Sequence, residues 1–189
     1  MIIFDLDGTL ADCEHRRSFV VPGLDNRVKW HSDMKGSYDG WWINSGEKWK
    51  PDWDAFYEAC DQDKPIKPLV NVFNSLIGND YCQINNRLLN IIEIEIWSGR
   101  SDSVRQKTLE WLEENIFYNF CDFQYDIQLK MRPIGDFTSD DVLKEKWLDE
   151  ALAQGKEIEY VFDDRPKVIR MWRRRGISVF NCCQHDEEF

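Results

Sequence analysis

Helix-like and strand-like segments alternate between residues 67 and 181 of this sequence. The helix-like segments carry apolar residues three and four positions apart, whereas the strand-like segments are short and either alternate or are continuously apolar. This alternation predicts an α/β fold, a Rossmann-like parallel sheet with helices on both faces. In chain order, helices are predicted at 67–78, 101–116, 138–155 and 166–176, and strands at 91–97, 126–131, 158–164 and 177–181.

Two pairs of aspartates stand where apolar, strand-like segments end. The chain opens with MIIF and continues directly into Asp5 and Asp7, and the segment EYVF ends in Asp163 and Asp164. Ligands of parallel sheets bind beyond the carboxyl ends of the strands, so all four acids are candidates for one site. Close carboxylates repel each other unless a cation offsets their charge, and oxygen-only ligands favour Mg²⁺ over Zn²⁺. The alternative is that each pair ends its strand in a separate turn.

Three further residues are candidates for holding a phosphate. Ser98 and Gly99, in the segment WSGR, follow the strand predicted at 91–97. A serine at a strand-to-helix junction often only caps the helix, but its hydroxyl and the neighbouring N–H groups also suit phosphate oxygens. Lys144 lies in the helix predicted at 138–155, where a lysine is usually solvated.

Composition excludes some classes of protein. With 24 basic and 35 acidic residues, the formal charge of −11 argues against coating nucleic acid through the overall field, although a local basic pocket for one phosphate stays possible. The six cysteines include no C-x-x-C pair, so we expect reduced thiols and no zinc site. The first apolar run is four residues long and no run has membrane-spanning length, so we expect neither a signal peptide nor a membrane span.

Residues 13–65 interrupt the alternating pattern. We therefore predict a core made of residues 1–12 and 66–189, with residues 13–65 as an insertion. One interpretation is an irregular segment held down by aromatic side chains; the other is a small cap that excludes water from the site and selects the substrate. The insertion is rich in tryptophan, with Trp30, Trp41, Trp42, Trp49 and Trp53.

The sequence resembles a known superfamily at four motifs. FDLDGTLAD, WSGRSD, DDVLKE and VFDDRPKVIRMWRRRG are similar to the four motifs of the haloacid dehalogenase (HAD) phosphohydrolases, and most similar to the branch found in the 3'-phosphatase domain of phage polynucleotide kinase. FYEACDQDKPIKP is also similar to that branch, and the resemblance covers nearly the whole chain outside about residues 14–53. No G-x-x-x-x-G-K-[ST] motif occurs, so no kinase half is expected, and the tail FNCCQHDEEF departs from the branch.

The resemblance implies a role for each candidate residue. Asp5 would be the nucleophile and Asp7 the general acid and base. Ser98, Gly99 and Lys144 would hold the transferring phosphoryl group. Asp163 and Asp164 would complete a Mg²⁺ site with Asp5 and the backbone carbonyl of Asp7. Arg100 and Arg132 match arginines implicated in activity in that branch, the alternative being that both are ordinary surface arginines.

The expected function is therefore a Mg²⁺-dependent phosphatase that forms an aspartyl-phosphate and acts on nucleic-acid 3'-ends. One alternative is a nucleotidase that acts on free mononucleotides, and another is an inactive module that only binds metal or phosphate. We expect a cytoplasmic protein, in the host cytoplasm if the chain is phage-encoded, and no oligomeric state is implied.

Overall fold

The fold is taken from a computed structural model of the chain, which describes residues 1–24, 28–30, 41–43, 48–84, 87–90, 93–117 and 127–182. The helices in these ranges are α1 (Trp53–Glu58), α2 (Lys67–Asp80), α3 (Arg105–Asn115), α4 (Asp140–Ala153) and α5 (Pro166–Arg174). The strands are β1 (Ile2–Phe4), β2 (Ala11–Asp12), β3 (Val28–Trp30), β4 (Trp41–Ile43), β5 (Lys64–Pro65), β6 (Tyr81–Ile84), β7 (Arg87–Asn90), β8 (Ile94–Ser101), β9 (Gln128–Arg132), β10 (Tyr160–Asp163) and β11 (Val179–Asn181).

The described residues form a central sheet of five strands in the order β11-β10-β1-β8-β9, and each neighbouring pair is parallel. Ile2 in β1 lies opposite Tyr160 on one side and Ile94 on the other. The chain runs outward from β1 through β8 to β9, then returns to β10 beside β1. The strand order therefore reverses between β1 and β10, which is where ligands bind in open α/β sheets.

Helices cover both faces of this sheet because both faces of the strands are apolar. Ile2 and Phe4 pack with residues of α2 and α3, whereas Ile3, between them in the sequence, packs with residues of α4 and α5. Successive side chains of a strand point to opposite faces, so β1 contributes to two hydrophobic layers. Among the residues that the structure describes, no helix is long and apolar enough to cross a bilayer.

The predicted helices and strands after residue 66 are present with bounds shifted by a few residues. One shift matters for the site: β8 continues through residues 98–101 instead of ending near residue 97, because it pairs with β9 as far as Ser101 and Arg132. Ser98 and Gly99 therefore lie within a strand and not at a strand-to-helix junction as predicted. The helix expected from residue 101 begins as a 3₁₀ turn, Asp102–Val104, before α3.

The two ends of the segment predicted as an insertion, 13–65, lie beside each other. β2 and β5 are antiparallel partners, with Ala11 opposite Pro65 and Asp12 opposite Lys64, so the two ends of the segment run side by side. Between them the described residues form short 3₁₀ helices, the hairpin β3–β4 and α1, whose first turn is capped by the Asp52 carboxylate. Sequence patterns predicted neither α1 nor the two hairpins, β3–β4 and β6–β7. The side chains of Trp30, Trp41 and Trp42 lie outside the described part of the structure.

Candidate active site

The carboxyl ends of β1 and β10 bring three of the predicted acids together. One oxygen each from Asp5, Asp163 and Asp164 lie within 4.8 Å of one another. Asp5 follows β1 directly, Asp163 is the last residue of β10, and the parallel pairing of the two strands places them at one edge. We call these three residues the acidic cluster. The Asp7 carboxylate is not part of it, so the predicted contribution of Asp7 to a metal site would come from its backbone carbonyl.

Lys144 is the cationic partner of the acidic cluster. Its Nζ lies 2.8 Å from Asp5 Oδ1 and 2.8 Å from Asp163 Oδ2, and the side chain is 3% exposed. Burial opposes the ammonium charge, but Asp163 and Asp5 more than compensate, and the pKa of Lys144 is raised. The alternative that Lys144 is a solvated surface lysine is therefore wrong.

The acidic cluster carries more negative charge than Lys144 can balance. Three carboxylates against one ammonium leave a formal charge of −2, and burial together with the other acids raises the pKa of Asp5 to about 6. Burial and the charges of Asp5 and Asp163 likewise raise the pKa of Asp164 well above its ordinary value. Within the described residues, Asp164 Oδ1 is buried without a hydrogen-bond partner. A hard divalent cation fits this set of donors in both charge and chemistry.

Gly8 allows the turn after Asp5 and Asp7 to approach the acidic cluster. Its φ is +82°, a left-handed conformation that L side chains rarely adopt, and a Cβ at this position would overlap the carboxylate of Asp164. The glycine of the motif DLDGT is therefore required both by backbone conformation and by the close approach of a candidate metal ligand.

Asp7 belongs to a second group of charges, which we call the arginine cluster: Asp7, Arg16, Asp63 and Arg100. Arg100 donates to Asp7 Oδ1 from Nε at 2.9 Å and from Nη2 at 2.6 Å, and Arg16 Nη2 donates to the same oxygen. Burial alone would raise the pKa of Asp7, but Arg100 and Arg16 lower it to about 2. Asp7 is therefore ionised in this arrangement.

Asp63 is the second carboxylate of the arginine cluster. Its fully buried carboxylate accepts from Arg16 Nε at 2.8 Å and from Arg100 Nη2 at 2.6 Å. Arg16 also lies over the ring of Phe56, 4.1 Å from its centroid. Two guanidinium groups and two carboxylates make the cluster formally neutral, which is a condition for burying so many charges. Arg100 is completely buried, so the alternative of an ordinary surface arginine is wrong for this residue.

Arg132 organises a loop beside the site. Its Nε donates to Gly99 O at 2.9 Å, and its Nη1 donates to the carbonyl oxygens of Asp136 and Thr138. Its Nη2 donates to the Asp140 carboxylate, whose second oxygen pairs with Arg165. Arg132 is 7% exposed, so it too is no surface arginine.

Ser98 and Gly99 occupy different depths. Ser98 is fully buried, and its Oγ accepts from the Arg100 N–H at 3.2 Å. Gly99 lines the cavity described next, and a Cβ there would come within 2.9 Å of Asp140 Oδ1. The absence of a side chain at position 99 thus keeps the backbone close to the Asp140 carboxylate.

These groups surround one cavity of about 550 Å³. Of the predicted site residues, the cavity lining includes Asp5, Asp7, Gly99, Arg132, Lys144 and Asp164. Ser98, Arg100 and Asp163 do not line the cavity. Arg100 bonds to Asp7 and Asp163 bonds to Lys144, both of which are lining residues, and Ser98 bonds to the Arg100 N–H. The remaining apolar lining comes mainly from Trp53, Phe56 and Tyr57 of α1, from Cys13 and Val20 on either side of the 3₁₀ helix Glu14–Phe19, and from residues 133–139.

Comparison with known proteins assigns the chain to a family. Residues 51–187, most of the chain, match the model of the polynucleotide kinase PNKP phosphatase domain, a HAD family. The chain belongs to this family. Membership confirms the resemblance to HAD phosphohydrolases, the HAD-type phosphatase class of the enzyme and the predicted α/β fold class.

Individual relatives are longer than this chain. It is 30% identical over 161 residues to a protein of Autographa californica nuclear polyhedrosis virus named as a bifunctional polynucleotide kinase/RNA ligase, covering 78% of this chain and 22% of the relative. Two solved structures of Pnkp1/Rnl/Hen1 complexes, one titled an RNA repair complex, match 98% of this chain at TM-scores of 0.59 and 0.60. Their identities of 22% and 23% show a shared fold, and the chain spans 43% and 46% of the matched chains.

Four residues of this PNKP-type phosphatase domain were missed by sequence reasoning: Arg16, Asp63, Asp140 and Arg165. Asp63 lies in FYEACDQDKPIKP, a segment quoted for the resemblance, and Asp140 and Arg165 lie in two of the four motifs. Those segments were a signal that could have identified three of the residues. Arg16 lies in the segment predicted as an insertion, and no pattern in its surroundings marks it.

Proposed function

We propose that this chain is a divalent-cation-dependent phosphatase that removes the phosphate from nucleic-acid 3'-ends through an aspartyl-phosphate on Asp5. The observation that carries the proposal is the convergence of Asp5, Asp163, Asp164 and Lys144 at the switch point of the sheet, open to a cavity. The family match supports phosphatase chemistry and a polynucleotide substrate.

In this proposal, Asp5 and Lys144 carry out the phosphoryl transfer. A carboxylate oxygen of Asp5 attacks phosphorus in line, the bond from phosphorus to the 3'-oxygen breaks, and an aspartyl-phosphate forms. Lys144, already bonded to Asp5 Oδ1, offsets the charge of the incoming phosphate, and the Gly99 backbone lies at the same cavity. Ser98 does not line the cavity; its bond with the Arg100 N–H holds the backbone on either side of Gly99.

Asp7 supplies and removes the protons. It protonates the departing 3'-oxygen and then takes a proton from the water that hydrolyses the aspartyl-phosphate, which yields inorganic phosphate and restores Asp5. Its contacts with Arg16 and Arg100 keep Asp7 ionised and able to accept a proton, but the low pKa makes it a weak base, so the second task requires those contacts to loosen. The first requires Asp7 to exchange those bonds for one to the leaving oxygen.

Asp5, Asp163, Asp164 and the backbone carbonyl of Asp7 would hold a divalent cation, which we propose to be Mg²⁺. When bound, such a cation would lower the electrostatic cost of bringing an anionic phosphate to an anionic nucleophile. The unpartnered oxygen of Asp164 and the net negative charge of the acidic cluster support this assignment.

We propose that the segment 13–65 is a cap and that the protein is cytoplasmic. Val20, Trp53, Phe56 and Tyr57 come from this segment and line the cavity, as expected of a cap. The free thiols among the described cysteines, Cys13, Cys60 and Cys182, support a reducing compartment.

A free mononucleotide is the second candidate substrate. The cavity volume is ordinary for a small-molecule site, and an overall charge of −11 gives no general attraction for a long polyanion. These two features favour a free nucleotide, whereas the family match favours the end of a strand.

The deciding experiment compares phosphate release from a 3'-phosphorylated oligonucleotide with release from free 3'- and 5'-mononucleotides, each with Mg²⁺ and with a chelator. We expect Mg²⁺-dependent release and a kcat/KM at least about tenfold higher for the oligonucleotide. A preference for free nucleotides would identify a nucleotidase. No release from any of these substrates would identify an inactive binding module and contradict the proposal.

A further inference from the structure

Large apolar side chains are exposed at the cavity mouth. Phe137 is 89% exposed, Ile134 71% and Trp53 40%, and all three line the cavity that contains Asp5. Phe137 and Ile134 come from the loop 133–139, whereas Trp53 begins α1. Exposed apolar surface that is grouped beside polar residues is typical of ligand-binding grooves and interaction sites.

The loop that carries Phe137 is fixed in place. Arg132 donates to the carbonyl oxygens of Asp136 and Thr138, on either side of Phe137, and the Asp136 carboxylate accepts from the Thr138 N–H at 2.8 Å. The exposed ring is therefore held on a backbone with several hydrogen bonds. A ring positioned in this way loses little conformational entropy when a flat ligand stacks on it.

Trp53 is also anchored. Its ring contacts Phe56 edge-on at 5.7 Å between centroids and Tyr57 at 6.0 Å, and the Tyr57 hydroxyl donates to Gly99 O at 3.5 Å. Arg132 donates to the same carbonyl oxygen. Gly99 thus links the element that carries Trp53 to the loop that carries Phe137.

We propose that Phe137 and Trp53 form a stacking site for the base of the nucleotide that bears the 3'-phosphate. This inference rests on the proposed phosphatase function and adds a recognition element to it. A nucleobase is the flat, apolar part of the substrate that is covalently tied to the phosphate, so it must lie within one nucleotide of Asp5. The cavity is continuous from the acidic cluster to these two rings.

The charge distribution supports recognition through the base. Most described arginines near the site have their guanidinium groups engaged by carboxylates or carbonyl oxygens, as in the arginine cluster and at Arg132. The protein as a whole has a charge of −11. Attraction to a phosphate backbone is therefore weak, and stacking, which is tolerant of base identity, would supply affinity.

The test measures kcat and KM with Mg²⁺ for two 3'-phosphorylated oligonucleotides, one ending in adenosine and one ending in an abasic tetrahydrofuran. Stacking on one aromatic ring predicts that Phe137→Ala and Trp53→Ala each raise KM for the adenosine end about 5- to 100-fold, with kcat changed less than about threefold. For the abasic end the same variants should change KM less than about twofold. Phe137→Trp should restore the wild-type KM.

Phe180→Ala is the matched control, because Phe180 is an exposed aromatic residue, 54% exposed, outside the cavity lining. It should leave both KM values unchanged.

If the wild type acts on both ends and Phe137→Ala changes the two KM values equally or not at all, the stacking site is wrong while the phosphatase proposal stands. If the wild type releases no phosphate from either end, both fall. If the wild type self-associates in ultracentrifugation and Phe137→Ala abolishes this association while KM stays unchanged, the rings bind a second copy of the chain and the inference is wrong.

Discussion

Asp7 shows how strongly single residues of this site depend on their neighbours. Two arginines bind its carboxylate, and a second carboxylate, Asp63, binds the same two arginines. Among the described residues, Asp63 belongs neither to the acidic cluster nor to the cavity lining. Its expected role is to position the guanidinium groups, and through them Asp7.

Replacing Asp63 by asparagine tests this role. Two buried guanidinium groups would then share one carboxylate, so we expect the free energy of unfolding to fall by about 3 kcal/mol, measured in urea. We also expect kcat to fall roughly tenfold or more, with a smaller change in KM, because Asp7 would be displaced. Asp61→Asn, at an exposed position two residues away, should change neither quantity. Equal losses in the two variants would rule out a specific role for Asp63.

The low pKa of Asp7 predicts a pH-dependent stability. The folded-state pKa of about 2 lies below the ordinary value of 3.8, so the ionised carboxylate stabilises the fold above about pH 4, and that contribution declines as the pH falls towards 2. The difference in unfolding free energy between wild type and Asp7→Asn should therefore shrink by about 1 kcal/mol between pH 5 and pH 3. Urea titrations at the two pH values measure it; a difference that is constant or larger at pH 3 would contradict the assignment.

At the scale of elements, the site depends on where strands end. β1 and β10 are adjacent and parallel, so acids at their carboxyl ends meet although they are far apart in the sequence. This was predictable, because apolar strands followed by Asp5 and by Asp163 are local patterns and parallel pairing follows from the alternation of elements. The position of Ser98 was predicted less well, because the extension of β8 depends on its pairing with β9.

A divalent cation bound by the acids at the ends of β1 and β10 should stabilise the folded protein. We expect millimolar Mg²⁺ to raise the Tm of the wild type by roughly 3 to 10 °C, because a ligand that binds only the folded state adds to its stability. Asp164→Asn should lose most of this rise, whereas Asp149→Asn, an exposed acid of α4, should keep it. An identical Tm with Mg²⁺ and with a chelator would argue against a metal site in the acidic cluster.

At the scale of the whole molecule, the fold brings cationic side chains together, which the negative net charge of the chain does not indicate. A chain with a net charge of −11 places Lys144 and several arginines around one cavity, and most of them are paired with acids from distant parts of the sequence. Pairings such as Arg16 with Asp63 could not be predicted, because both residues lie in a segment without periodic pattern and meet only through tertiary packing. The exposed Phe137 was equally unmarked, since an isolated aromatic residue in a loop has no distinctive sequence signal.

The proposed mechanism is tested most directly by the rate of Mg²⁺-dependent phosphate release from a 3'-phosphorylated oligonucleotide by the wild type and by Asp5→Asn, with Asp149→Asn as the matched control. We expect Asp5→Asn to remain folded by circular dichroism and to lose activity by at least about 10⁴-fold, because the amide of asparagine cannot act as the proposed carboxylate nucleophile. Asp149→Asn should keep the wild-type rate. Activity of a folded Asp5→Asn within tenfold of the wild type would contradict the role of Asp5 as the nucleophile.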